Sequence, residues 1–115
     1  MTPKVSHVWL YVKDMSQSIR FYSDILGFKI VARFPDGALL DTGGVLIGLH
    51  REVLDRKSHH CGNTIILETG DVEKSFKELS GKGVRFATPV RREDYGIGAD
   101  FRDPDGYILE LWQPA

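Results

Sequence analysis

Apolar and polar positions change period several times along the first fifty residues, and each change marks an element. His7-Val8-Trp9-Leu10-Tyr11-Val12 is β-branched and aromatic, as a strand is. Side chains alternate along a strand, so His7, Trp9 and Tyr11 share one face and Val8, Leu10 and Val12 the other. The aliphatic set is the expected core face. Asp14, with Gln17 three residues on, makes a start like a capping box, and Met15, Ile19, Tyr22 and Leu26 form one helical stripe. Gly27 stands where a left-handed C-cap is wanted. Three strand-like runs follow at 28–34, 38–41 and 45–50, separated by Pro35-Asp36-Gly37 and Thr42-Gly43-Gly44 turns. The expected order is βαβββ.

After a polar connector over 52–62 the same order begins again. A strand is expected at 63–69, an N-cap at Asp71 and a helix stripe at Val72, Phe76 and Leu79, closed by Gly81 and Gly83. Strands are expected at 84–90, 97–102 and 107–112, the last two joined by Asp103-Pro104-Asp105-Gly106. An offset of 57 residues relates Asp14 to Asp71, Ser18 to Ser75, Ile19 to Phe76 and His7 to Thr64, and an offset of 62 relates Gly48 to Glu110 and His50 to Trp112. Matching caps, turns and helix stripes together point to a tandem repeat. By alternation, Ile108, Glu110 and Trp112 share a face, as do Leu46, Gly48 and His50, and Thr64, Ile66 and Glu68.

A chain of 115 residues is large enough for one core and too small for two independent ones, so the two modules, 5–51 and 63–113, are expected to form a single domain over 1–115. A formal charge of −1, with both signs scattered, carries no electrostatic footprint for nucleic acid. No apolar run approaches a membrane span and no signal-peptide core follows Met1-Thr2-Pro3-Lys4, so a cytoplasmic protein without a membrane partner is expected. Cys61 is the only cysteine, which excludes an intrachain disulfide and fits a reducing compartment.

His7 on the first strand, Ser18-Ile19-Arg20-Phe21-Tyr22 with Leu26-Gly27-Phe28, and Asp103-Pro104-Asp105-Gly106 before Glu110-Leu111 resemble the vicinal oxygen chelate superfamily of glyoxalases, bleomycin-resistance proteins and dioxygenases. The resemblance covers almost the whole chain. It implies an α+β fold in which two βαβββ modules set curved mixed sheets side by side as a cup for a small molecule, in a homodimer. It also implies a divalent metal (Zn, Ni, Mn or Fe) held in the cup by first- and fourth-strand residues. Those positions carry over to His7 and Glu110, with Glu110 the candidate catalytic residue. They fail at Gly48, which has no ligating side chain, and at Thr64, which stands where a second His is usual.

A hydroxyl is a poor ligand for a first-row metal, so an orthodox site needs a further donor: His50 on the same face, or His59 and His60 beside Cys61 in the connector. With that donor the resemblance implies a metal-assisted lyase, isomerase, transferase or dioxygenase. Without it the cup is metal-free, as in bleomycin-resistance proteins, and sequesters a cationic or aromatic compound. In that reading Trp9, Tyr11, His50, Thr64 and Trp112 line the pocket, and Asp100, Glu68 and Glu110 favour a cation. A noncatalytic dimeric accessory protein is the remaining reading. Trp9, Gly98 and Asp100 replace the small hydroxylated and tyrosyl residues of fosfomycin-transferring relatives, which points away from that reaction. Tyr95-Gly96-Ile97-Gly98 reads as a mobile rim loop or a plain hairpin connection.

Overall fold

A computed structural model describes residues 6–51 and 64–115 of the chain. The described residues fall into two compact units, one within Met1–His59 and the other within His60–Ala115. In the first, β1 (His7–Val12) leads into α1 (Met15–Ile19), which runs on as a π-helical segment (Arg20–Ile25), followed by β2 (Lys29–Phe34), β3 (Gly37–Asp41) and β4 (Leu46–Arg51). The sheet order is β1-β4-β3-β2, with β1 parallel to β4 and the other pairs antiparallel. The second unit has β5 (Thr64–Glu68), α2 (Val72–Gly81), β6 (Arg91–Glu93), β7 (Gly96–Arg102) and β8 (Ile108–Pro114). Its order, β5-β8-β7-β6, repeats the first with β5 parallel to β8.

The fold is the expected α+β, each unit running βαβββ. Register follows the repeat as well: Trp9 lies opposite Gly48 and Ile66 opposite Glu110, while Tyr11 lies opposite His50 and Glu68 opposite Trp112. Both helices start as their sequences require. Asp14 Oδ1 accepts from the Gln17 N–H and Asp71 Oδ1 from the Lys74 N–H, both at 3.0 Å. Gln113, whose role no sequence pattern announces, adds a side-chain acceptor 2.9 Å from the Val72 N–H.

In each unit one face of the sheet and the helix supply the buried apolar residues. Leu10, Val12, Ala38, Leu40, Ile47 and Leu49 are buried in the first unit, and Ala99, Phe101, Leu109 and Leu111 in the second. Val8, expected among them, is instead 47 % exposed. The first helix also departs from its expected stripe. Beyond Ile19 it widens, and the Leu26 N–H reaches back five residues to the Phe21 carbonyl at 3.0 Å. The wider turn lets the neighbours Phe21 and Tyr22 both bury, with Ser18, while Met15, Ile19 and Leu26 stay half-buried.

The expected strand over 84–90 is not formed; only Phe86 bridges to Phe101, and the edge strand is the three-residue β6. Pro89 has no N–H for a ladder, and the Ala87 and Thr88 N–H groups converge on one carbonyl, that of Asp100, at 2.7 and 3.4 Å, while the Thr88 hydroxyl accepts from the Asp100 N–H at 2.9 Å. Asp103-Pro104-Asp105-Gly106 is the expected turn. Asp103 accepts from the Asp105 and Tyr107 N–H groups at 2.9 and 2.8 Å, and Gly106 takes a φ of 91°.

Candidate functional site

The sheet faces turned away from the helices carry the chemistry, and the two faces differ. On the first sheet His7, Trp9 and Tyr11 come from β1 and His50 from β4. Gly48 between them has no side chain. The Trp9 indole fills that space: a Cβ on Gly48 would stand 2.4 Å from Trp9 Cε3. Three rings meet Trp9 edge to face, His7 at 5.1 Å, His50 at 5.5 Å and Phe34 at 5.8 Å between centroids. Tyr11 meets His50 at 5.7 Å. Phe34 reaches this group across Gly37, where a Cβ would be 2.8 Å from its ring.

The histidines of this aromatic face are oriented by neighbours. His50 Nδ1 lies 2.8 Å from the Arg51 carbonyl, which only accepts, so Nδ1 is the donor there and in the neutral ring Nε2 is the acceptor. His7 Nδ1 pairs with the Ser6 hydroxyl at 3.0 Å. Trp9, Tyr11, His7 and His50 all remain half-exposed. The face is apolar, flat-ringed and accessible.

On the second sheet Asp100 and Glu110 are cross-strand partners on β7 and β8, and Arg91 on β6 lies opposite Gly98. Because Gly98 has no side chain, Arg91 extends over it to Glu110. A Cβ there would stand 2.9 Å from Glu110 Oε2 and 3.3 Å from Arg91 Nη2. Arg91 Nη2 donates to Glu110 Oε2 at 2.7 Å and to Asp100 Oδ1 at 3.1 Å, while Nη1 donates to Thr88 Oγ1 at 2.6 Å. The Asp100 bond, with the charges of Asp100, Glu110 and Glu93, holds the guanidinium above its ordinary pKa against the lowering effect of burial. Besides Phe34 and Thr88, sequence reasoning missed Arg91. Its only signal was the pairing of β6 with a glycine, invisible while the strand was expected at 84–90.

Trp112 on β8 lies across Gly96, where a Cβ would be 2.4 Å from its ring, and meets Tyr95 at 5.8 Å and 32°. The expected rim loop is thus a hairpin: Gly96 and Gly98 belong to β7, and their missing side chains make room for Trp112, Arg91 and Glu110. On β5 Thr64, Ile66 and Glu68 are exposed. A depression of about 340 Å³, lined by Val12, Lys13, Asp14, Met15, Ser16 and Arg51, contains none of the expected site residues.

The described residues do not fit the divalent metal that the resemblance implies. Among them no three His, Cys, Asp or Glu side chains gather as a metal site. Glu110 already has a cation at 2.7 Å, and the place of the absent Gly48 side chain is taken by an indole. His59 and His60, the other candidate donors, lie outside the described residues.

The family model described as the Glyoxalase/Bleomycin resistance protein/Dioxygenase superfamily matches residues 4–111. The chain belongs to that superfamily. Its relatives within the superfamily include the glutathione transferase FosA of Serratia marcescens, 28 % identical over 96 % of this chain and 81 % of that protein. The metallothiol transferase FosB of Staphylococcus saprophyticus is 30 % identical over 96 % of this chain and 77 % of its own length. Among solved structures, TnmS3, an antibiotic binding protein from Streptomyces sp. CB03234, superposes with a TM-score of 0.84 at 23 % identity, covering 99 % of this chain and 98 % of that one. That likeness establishes the shared fold.

Proposed function

We propose that this superfamily member is a metal-free binding protein that captures a small planar aromatic molecule on the aromatic face of its first sheet. The observation that carries the reading is the Trp9 indole seated on Gly48, with His7, His50 and Phe34 edge-on around it. An aromatic ligand stacks on such a ring with little ordering cost, because the indole is already held by its neighbours. His50 Nε2 offers an acceptor beside it for a ligand N–H or O–H. The antibiotic binding by TnmS3 is in keeping with this role on the same fold.

A metal-assisted transferase reading draws on FosA and FosB, but Glu110, its best candidate ligand, is tied up by Arg91. We further propose a cytoplasmic homodimer, with neither nucleic acid nor membrane as partner; no helix among the described residues is long and apolar enough to cross a membrane. The binding role is tested by titrating intrinsic tryptophan fluorescence with planar aromatic compounds, charged and uncharged, in a Trp112→Phe background. Trp9 then reports alone. Saturable quenching is expected, together with calorimetric binding of the same compounds that is lost in Trp9→Leu. Absence of Trp9-dependent binding overturns the reading, as does stoichiometric metal in protein purified without added metal.

A further inference from the structure

We infer that Arg91 is a built-in counter-cation that occupies the place of a divalent metal between Asp100 and Glu110 and thereby excludes one. The inference deepens the metal-free reading above, and rests on it only for the expected state of the native protein.

The geometry is that of a pre-assembled cation site. One nitrogen, Nη2, lies within 3.1 Å of oxygens from both carboxylates, and the other terminal nitrogen is anchored on Thr88. Thr88 Oγ1 is itself fixed, because it also accepts the Asp100 N–H at 2.9 Å. Divalent ions bind carboxylate oxygens at about 2.0–2.2 Å. An ion shared by these two oxygens must therefore stand in the space of Nη2 and would meet a charge of its own sign. Two carboxylates and one guanidinium leave the cluster with a single negative charge, and the three side chains are only 33 %, 29 % and 21 % exposed for Arg91, Asp100 and Glu110. Such a pair is screened less than a surface pair and keeps its occupant.

Gly98 is the other half of the device. Arg91 starts on the edge strand β6 and Glu110 on β8, so the guanidinium has to cross β7, and only a residue without a side chain lets it lie that close. Arg91 and Gly98 together decide which cation Glu110 sees.

The test is calorimetric titration of the full chain with Mn²⁺ and Zn²⁺ at neutral pH. Arg91→Met keeps the apolar stem but removes the charge, and it is expected to bind at least about tenfold more tightly than wild type. Adding Glu110→Gln to that variant should abolish the gain, and Arg91→Lys, which keeps a cation, should remain close to wild type. Circular dichroism follows folding. If Arg91→Met does not fold, Gly98→Ala serves: its methyl crowds Oε2 and Nη2, and a smaller, Glu110-dependent gain is expected. A wild type that already binds as tightly as the variant overturns the inference. So does a folded variant with no gain, or a gain that survives Glu110→Gln. Calorimetric titration of the same samples with the planar aromatic compounds tells the two proposals apart: no aromatic binding in wild type sinks the aromatic-ligand reading alone, and an absent metal gain in Arg91→Met sinks the counter-cation alone.

Discussion

Two glycines separate close packing from flexible contact. At Gly48 an added methyl would meet the ring of Trp9 at 2.4 Å, and that ring is penned by three others. Gly48→Ala is therefore expected to cost about 1–3 kcal/mol in urea denaturation and to change the tryptophan emission, as overpacking does. At Gly98 the nearest atoms are the far ends of Glu110 and Arg91, which can move. Gly98→Ala should cost less than about 1 kcal/mol by the same measurement. A larger loss at Gly98 than at Gly48 would contradict this ordering. Alkali does not release Glu110. With the Arg91 pKa raised by its partners, the stabilisation it supplies is complete below the unfolded value and fades only as pH rises through the higher folded one. Stability contributed by Arg91 should thus stay level from neutral pH up to about pH 10, checked by comparing wild type and Arg91→Met in urea across that range. His7, Trp9 and Glu110 could be nominated from the chain because strand alternation puts them on the open faces. Arg91 could not, since its importance lies in a contact two strands away.

Helix starts were readable because capping is a local bond between residues three apart, and both Asp14 and Asp71 make it. Asp14→Ala should lower stability by about 1 kcal/mol in thermal or urea unfolding. Asp71→Ala should cost less, because Gln113 still supplies an acceptor to the same helix end. Gly81 offers a contrast. It is the last residue of α2, and nothing lies within 4 Å of a Cβ there, so Gly81→Ala should stabilise by roughly 0.5–1 kcal/mol. The π-helical widening after Ile19 was not readable. A stripe at Met15, Ile19, Tyr22 and Leu26 assumes an unbroken α pitch, whereas burying Phe21 beside Tyr22 against the sheet is worth more than keeping it. Strand 84–90 failed for a similar reason, an apolar run outvoted by Pro89 and by the Thr88 side chain.

At the scale of the whole molecule, β1 and β2 are the edges of one sheet and β5 and β6 the edges of the other, and Val8 on β1 and Ile66 on β5 are 47 % and 52 % exposed. Open edges with apolar side chains favour a partner that covers them. Sedimentation at micromolar concentration is expected to show a dimer, and Ile66→Lys to shift it towards monomer; a monomer at high concentration would refute the expectation. The sequence by itself determined the βαβββ order, its repetition and the faces on which the candidate residues fall. Those follow from caps, turns and alternation, which act over a few neighbouring residues. Only the tertiary structure decided that an indole fills the place of a side chain at Gly48 and that a guanidinium crosses Gly98 to reach Glu110. Both depend on strand register and side-chain reach, and these are settled when distant segments pair and pack, not by the order of residues along any one of them.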